Sequence, residues 1–184
     1  NAALFYNGRY HLHYLYWAQA GALGMAHVSS TDMVHWRWHP TVLKPSILGV
    51  KAMLSGTAFL TTQGKPAIVF SDNQDIHIVH ALDDNLDSWS RPEKVVVKTA
   101  DGNVKKTGVW DPDCWLNGET YYAIGSGNKK IDLMKSDDLK SWKYVGDLMH
   151  HEFPKHLGVT PNDDLSCPNM FRVNDKWMLL CISH

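Results

Sequence analysis

The stretch "SSTDMVHW" runs from Ser29 to Trp36, and it returns twice in altered form. "LDDNLDSW" runs from Leu82 to Trp89 and "KSDDLKSW" from Lys135 to Trp142, so each closing tryptophan stands 53 residues after the one before. Four residues ahead of each Trp stand Asp32, Asn85 and Asp138. Three ahead stand Met33, Leu86 and Leu139. A short Asp or Asn side chain can bond the backbone two residues on and set a turn. The apolar residue and the Trp are then expected to pack inward behind that turn.

A second marker keeps phase with the first. "YNGRYHLHYLY", "TQGKPAIVFSD", "LNGETYYAIGSG" and "VNDKWMLLCIS" each join two apolar runs through a short polar turn, expected at Asn7-Gly8, Gln63-Gly64, Asn117-Gly118 and Asn174-Asp175. Asn-Gly supplies the positive φ angles of a two-residue hairpin. The flanks are rich in Tyr, Val, Ile and Phe with partial alternation, which reads as strand. A unit of about four strands recurring every ~55 residues is the signature of a propeller blade. The chain is therefore expected to be all-β, with blades at about 1–50, 51–105 and 106–158 and an incomplete one at 159–184. A β-sandwich is the weaker alternative. Propellers close with four to eight blades, so the reading is of a partial propeller cut at both ends.

Composition narrows the function classes. The formal net charge is −1 over 184 residues, with no basic stripe, which argues against a nucleic-acid partner. The least polar long stretch, Tyr14 to Val28, carries Gln19, His27, Gly21 and Gly24 and is rejected as a membrane span. Cys114, Cys167 and Cys181 form no tight pair, so small buried thiols are expected rather than a disulfide framework or zinc site. The compartment and oligomeric state stay open.

In a propeller the first strand of each blade lines the central channel, so side chains at its entrance converge. The entrances here carry Ser55, then Asp111 and Asp113, then Asp163, Asp164 and Ser166. A glycosidase needs two carboxyl groups flanking the scissile bond. By spacing alone Asp111 is open between a turn residue and a site residue, because Asp-Pro is also a common loop dipeptide.

The motifs decide further. "NAALFYNGRYHLHYLY", "HVSSTDMVHWRWHPTVLKP", "LSGTAF", "VWDPDCW" and "SCPNMF" follow one another through the chain. In that order they resemble the blade motifs of glycoside hydrolase family 32, the invertases and fructanases with a five-bladed propeller. The resemblance implies retaining hydrolysis or transfer of fructofuranosyl groups, on a carbohydrate substrate, without a cofactor. It assigns Asp111 to transition-state stabilisation through sugar hydroxyls. It sets the family's nucleophile two places before the residue aligned with Asn1, so that 184 residues alone are expected to turn over poorly. The family's Arg before the blade-three Asp is Trp110 here, its acid/base Glu aligns with Ser166, and a first-blade Gln is Leu15. Asp164 lies two residues before Ser166, on the same strand face by period-two geometry, and is the acid/base candidate with Asp163 as fallback. Asn1, Ser55, Trp110, Asp163 and Ser166 are the substrate-binding candidates.

Eleven histidines invite a metal reading. His11 and His13 share a strand face and His77 and His80 are close, but none shows a zinc spacing with a further ligand. Hydrogen-bonded strand and surface histidines are expected, with no metal. Trp17, in "WAQAGALG", is open between a wall of the sugar site and core. "KTADGNVKKTG" reads as an exposed connection and "HHEFPKHLGVTPNDD" as a funnel rim or plain surface. Two functions remain: a furanosyl-directed glycosidase, favoured by Asp111, Asp163 and Asp164, and a non-catalytic sugar-binding propeller, favoured by Ser166.

Overall fold

The computed structural model describes residues 2–17, 21–127, 130–149 and 165–183. They form fifteen strands and one short helix, and they divide into two compact units, residues 1–94 and 95–184. No described helix is long and apolar enough to cross a membrane.

The first unit holds two antiparallel four-stranded sheets in simple meander order. One is built from β1 (Ala2–Tyr6), β2 (Arg9–Trp17), β3 (Leu23–Ser30) and β4 (Arg37–Trp38), the other from β5 (Gly56–Leu60), β6 (Pro66–Ser71), β7 (Ile76–His80) and β8 (Glu93–Lys94). Between them lies α1 (Pro45–Leu48), started by its proline and closed by Gly49 at φ 74°. Every residue of β6, "PAIVFS", is buried, so this strand reads as a continuous apolar run covered on both faces. Met25, Leu43, Met53, Ile68, Phe70 and Val79 make the unit's core, with Trp89 packed at its margin. Gly56 opens β5 where the backbone of β6 passes too close for a side chain, since a Cβ there would lie 1.9 Å from the Val69 carbonyl oxygen.

The second unit departs from the expected four strands. Its main sheet has the order β10 (Trp110–Asn117), β11 (Thr120–Ser126), β12 (Asp132–Ser136), β13 (Trp142–Asp147), and then β9 (Val97–Lys98) as a fifth, parallel edge strand. β9 joins Lys98, the first residue of the polar segment 98–108 read as an exposed connection, to Val97 just before it. Val97 is buried opposite Trp142, and that contact holds the segment on the sheet. β14 (Leu165–Val173) and β15 (Lys176–Ser183) form a separate hairpin. Ile124, Ile131 and Leu165 form a small core with Trp115, Leu133 and Met170 around it.

The turn chemistry is that of the sequence, with shifts of detail. Asn7 and Gly8 both have positive φ and close the Tyr6–Arg9 hairpin. The third hairpin pairs Asn117 with Thr120, so its turn residues are Gly118 and Glu119 rather than Asn117 and Gly118. Gly64 sits at the end of a longer loop closed by Thr61 and Lys65, because Pro66 starts β6 only two residues later.

The tryptophan repeat is a repeat of geometry. Met33, Leu86 and Leu139 take φ values of 60°, 61° and 62°, and the indole N–H of Trp36, Trp89 and Trp142 donates to the carbonyl of each in turn, at 3.2, 3.0 and 3.0 Å. Asp32 and Asp138 accept backbone N–H bonds two and three residues on, as the turn requires. In the middle copy Asp83, not Asn85, accepts them, from the amides of Asn85 and Asp87. Burial does not follow the geometry. Trp142 is 2% exposed but Trp36 is 39% exposed, and Met33 lies in solvent. The inward packing expected of all three copies fails in the first.

Candidate functional site

β10 and β14 begin alike. Between the pairs Trp110–Ser126 and Asp113–Ile124, two residues of β10 oppose one of β11. Between Ser166–Ile182 and Asn169–Leu180, two residues of β14 oppose one of β15. Each is a β-bulge, and each is an X-Pro dipeptide: Asp111-Pro112 and Cys167-Pro168. Proline has no amide to give the ladder, so a bulge is where a strand tolerates it. The residue before it swings to positive φ, 46° at Asp111 and 50° at Cys167. Left-handed non-glycine residues are uncommon, and they collect where the structure must aim a side chain.

The bulges join the two strands. Asp111 Oδ2 accepts the Cys167 amide at 3.0 Å, and Asp113 Oδ2 accepts the Met170 amide at 2.6 Å. Asp113 is buried, whereas Asp111 is only half-buried. Asp113 is thus a strut between strands, and Asp111 is a carboxylate clamped on one oxygen with the side chain still reachable. A carboxylate is an acceptor that can take two bonds per oxygen, which suits it to sugar hydroxyls. Trp110 stands beside it with half its surface exposed, its carbonyl accepting the Ser126 hydroxyl at 2.8 Å.

The remaining expected residues fall out as follows. Ser166 is half-buried on β14, one residue before the bulge. Ser55 belongs to the first unit, where it is half-buried just ahead of β5 and its carbonyl accepts the Ser71 amide at 3.3 Å. Asn1, Asp163 and Asp164 lie outside the described residues, as does the loop 150–164. Trp17 is 73% exposed and does not belong to the core. Of the three thiols only Cys114 is buried, which corrects the expectation for Cys167 and Cys181. Burial raises the Cys114 thiol well above its ordinary range, and Asp113 adds to it. Partial burial and the neighbouring Asp111 charge also raise Cys167, so its exposed thiol is a poor nucleophile.

The sequence reading missed a constellation in the first unit. Cross-strand pairing of His13 with His27, together with the two-residue spacing from His11, brings three imidazoles together, and His39 joins them. His13 stacks on His27 at 4.2 Å and His27 on His39 at 4.0 Å between ring centres. All four are buried; His11, His13 and His27 are strand residues, as the sequence reading allowed, but their gathering with His39 was not foreseen. His11 Nδ1 lies 2.9 Å from His27 Nε2, and His39 bridges Ser29 at 2.7 Å and Asp87 at 2.8 Å. Burial, then the neighbouring imidazoles, lowers His13 to about 3 and His27 to about 2, so these rings are neutral. His27, His39 and Asp87 come within metal-bridging distance of one another. The two rings nevertheless lie nearly parallel, 23° apart, and stacked imidazoles cannot both aim in-plane lone pairs at one ion. The cluster reads as a stacked, buried imidazole core, linked by the His11–His27 contact and anchored through His39 on Ser29 and Asp87. The signal that reveals it is His at i and i+2 on one strand facing His on its partner.

Mainly antiparallel sheets with strands in chain order, two of them opened by X-Pro bulges at β10 and β14, match the class of β-propeller domains. The chain belongs to the family described as Glycosyl hydrolases family 32 N-terminal domain, whose profile matches residues 1–184. It is 26% identical over 206 residues to a sucrose-6-phosphate hydrolase of Salmonella typhimurium, covering 98% of this chain and 41% of the relative. It is 30% identical over 171 residues to the cell wall isozyme of beta-fructofuranosidase from Zea mays, covering 82% of this chain and 29% of that one. Among solved structures, the sucrose-6-phosphate hydrolase of Lactobacillus gasseri superposes with a TM-score of 0.73 at 23% identity, over 98% of this chain and 39% of that one. That likeness carries the fold, a five-bladed β-propeller domain of which this chain is a part. The chain spans less than half the length of each of these relatives.

Proposed function

We propose that this chain is part of a glycoside hydrolase that cleaves furanosyl-type bonds, as a β-fructofuranosidase does, with retention of configuration. Family membership and the names of the relatives support the reaction class. The observation that carries the site is Asp111, a half-buried carboxylate held at φ 46° in an X-Pro bulge and clamped by the Cys167 amide. In this reading Asp111 accepts hydrogen bonds from ring hydroxyls, which grow more acidic as positive charge builds on the sugar. Bonds that strengthen only then lower the barrier rather than merely tighten binding. Retaining enzymes pair a carboxylate nucleophile with a carboxylic acid that protonates the leaving oxygen. Asp164 is proposed as that acid, with Asp163 as fallback, and Asn1, Ser55, Trp110 and Ser166 as contacts to the sugar.

Ser166 supports the other reading, a carbohydrate-binding propeller without turnover, because a hydroxyl cannot replace a carboxylic acid as proton donor. One experiment separates the two. Hexose release from sucrose and from a fructan is measured with the whole protein that carries this domain, alongside binding of the same sugars by calorimetry. Release that falls by orders of magnitude in Asp164→Asn, and returns in part with an activated leaving group, supports the hydrolase. Binding without release in the wild type establishes the second reading. Release unchanged in Asp164→Asn removes that residue from the site.

A further inference from the structure

The outer edge of the second unit carries an arrangement the proposed reaction does not use. β12, β13 and β9 are neighbours, and their register sets Lys135 opposite Lys143 and Lys143 opposite Lys98. Directly paired residues share a face, and neighbouring strands lie about 4.8 Å apart, so three ammonium-bearing stems stand in a row across the sheet. Trp142 and Val97, the adjacent pair, point into the core. Like charges directly opposite each other in a sheet are destabilising. Lys140, from the turn ahead of β13, adds a fourth cation to the same groove, a cavity of about 690 Å³ also lined by Thr99 and Ser141. Among the described residues, none that lines it carries a carboxylate.

Other lysines of this chain find acids. Lys65 pairs with Asp84, Lys94 with Asp75 and Lys130 with Asp147. Among the described residues, Lys98, Lys135, Lys140 and Lys143 form no ion pair. Nearby acids are already engaged: Asp138 is bound by the amides of Ser141 and Lys140, Asp137 by the Thr120 hydroxyl, and Asp101 by the Thr99 hydroxyl and the Asn103 side-chain amide. A row of like charges without acid partners, in a cavity of small-molecule size, is unfavourable until an anion enters it.

We propose that this groove is an anion-binding subsite for a small phosphate or sulfate ester. The ester oxygens would sit between Lys143 and its two strand neighbours, taking charge-assisted bonds from the ammonium groups. The groove lies on β9, β12 and β13, apart from the Asp111 bulge at the head of β10, so the inference stands whether or not the proposed hydrolysis is right.

The test is calorimetric titration of the full chain with glucose 6-phosphate and glucose 6-sulfate, with glucose as the uncharged control. Wild type should bind either ester at one site, the affinity should fall as salt is raised, and glucose should not bind at that site. Lys143→Gln should weaken binding of the ester by about tenfold or more, and Lys98→Gln and Lys135→Gln by somewhat less. Without ligand, Lys143→Gln should unfold at the same or a higher urea concentration, because it relieves repulsion; a loss of affinity therefore cannot be ascribed to misfolding. Equal binding of glucose, or unchanged affinity in all three variants, overturns the proposal. So does binding of dextran sulfate with no binding of either ester, which would make the row a solvated basic edge that only blocks strand pairing.

Discussion

Asp111 carries two separable demands, and substitution can pull them apart. Its backbone sits at φ 46° and its Oδ2 accepts the Cys167 amide at 3.0 Å. Asparagine tolerates the left-handed region and keeps a neutral oxygen for the amide. Charge-assisted bonds are roughly twice as strong as neutral ones, so Asp111→Asn should cost about 1 kcal/mol. Glycine tolerates the backbone but loses the whole bond, a cost of about 2 kcal/mol. Alanine loses the bond and also places a β-carbon in the left-handed region, so its cost should reach about 3 kcal/mol. The order Asn, Gly, Ala should appear in urea midpoints followed by far-ultraviolet circular dichroism. In the whole protein all three lack the carboxylate, and under the proposed function kcat on sucrose should drop at least about a hundredfold, near 2.7 kcal/mol of barrier. Alanine as stable as asparagine would refute the account of the bulge. An asparagine variant with wild-type kcat would refute the account of the site.

Trp36 and Trp142 share one hydrogen bond and differ in burial, 39% against 2% exposed, so truncation to alanine isolates the burial. At about 25 cal/mol per Å² over a side chain of ~250 Å², Trp142→Ala should cost about 2 kcal/mol more than Trp36→Ala in urea unfolding; equal costs would contradict it. Gly56→Ala should lower stability by about 3 kcal/mol or more, because its β-carbon would meet the Val69 carbonyl at 1.9 Å, and a neutral result would mean the two strands can part freely. The Lys140 and Ser141 amides lower the Asp138 carboxyl from 3.8 to about 2. A depressed folded value adds stability above the ordinary value and loses it as pH falls through the folded one. The margin of wild type over Asp138→Ala should thus be full above about pH 4 and narrow toward pH 2; a margin independent of pH would show that the amides do not favour the charged form.

Local chemistry was legible in the sequence because it is local. A 53-residue return of Asp or Asn, an apolar residue and Trp specifies a turn whose φ angles and indole bond depend on the neighbours in that turn, and all three copies adopt it. Asn7-Gly8 closes its hairpin for the same reason, since a positive φ is a property of the dipeptide. The order of the motifs disclosed the family, and Asp111 could be named before its geometry was known. What the tertiary structure decided is everything that depends on residues distant in the chain. The depth of each tryptophan depends on what the next layer offers, so identical turns left Trp36 in solvent and sealed Trp142. β9 became a strand only because Val97 found Trp142 across 45 residues. Packing of the β14–β15 hairpin against β10 turns Asp113 into a strut while Asp111 stays reachable, and strand register stacks His13 on His27 and lines up Lys98, Lys135 and Lys143. Register follows from pairing between strands, and a one-residue slip would turn each of those side chains to the opposite face.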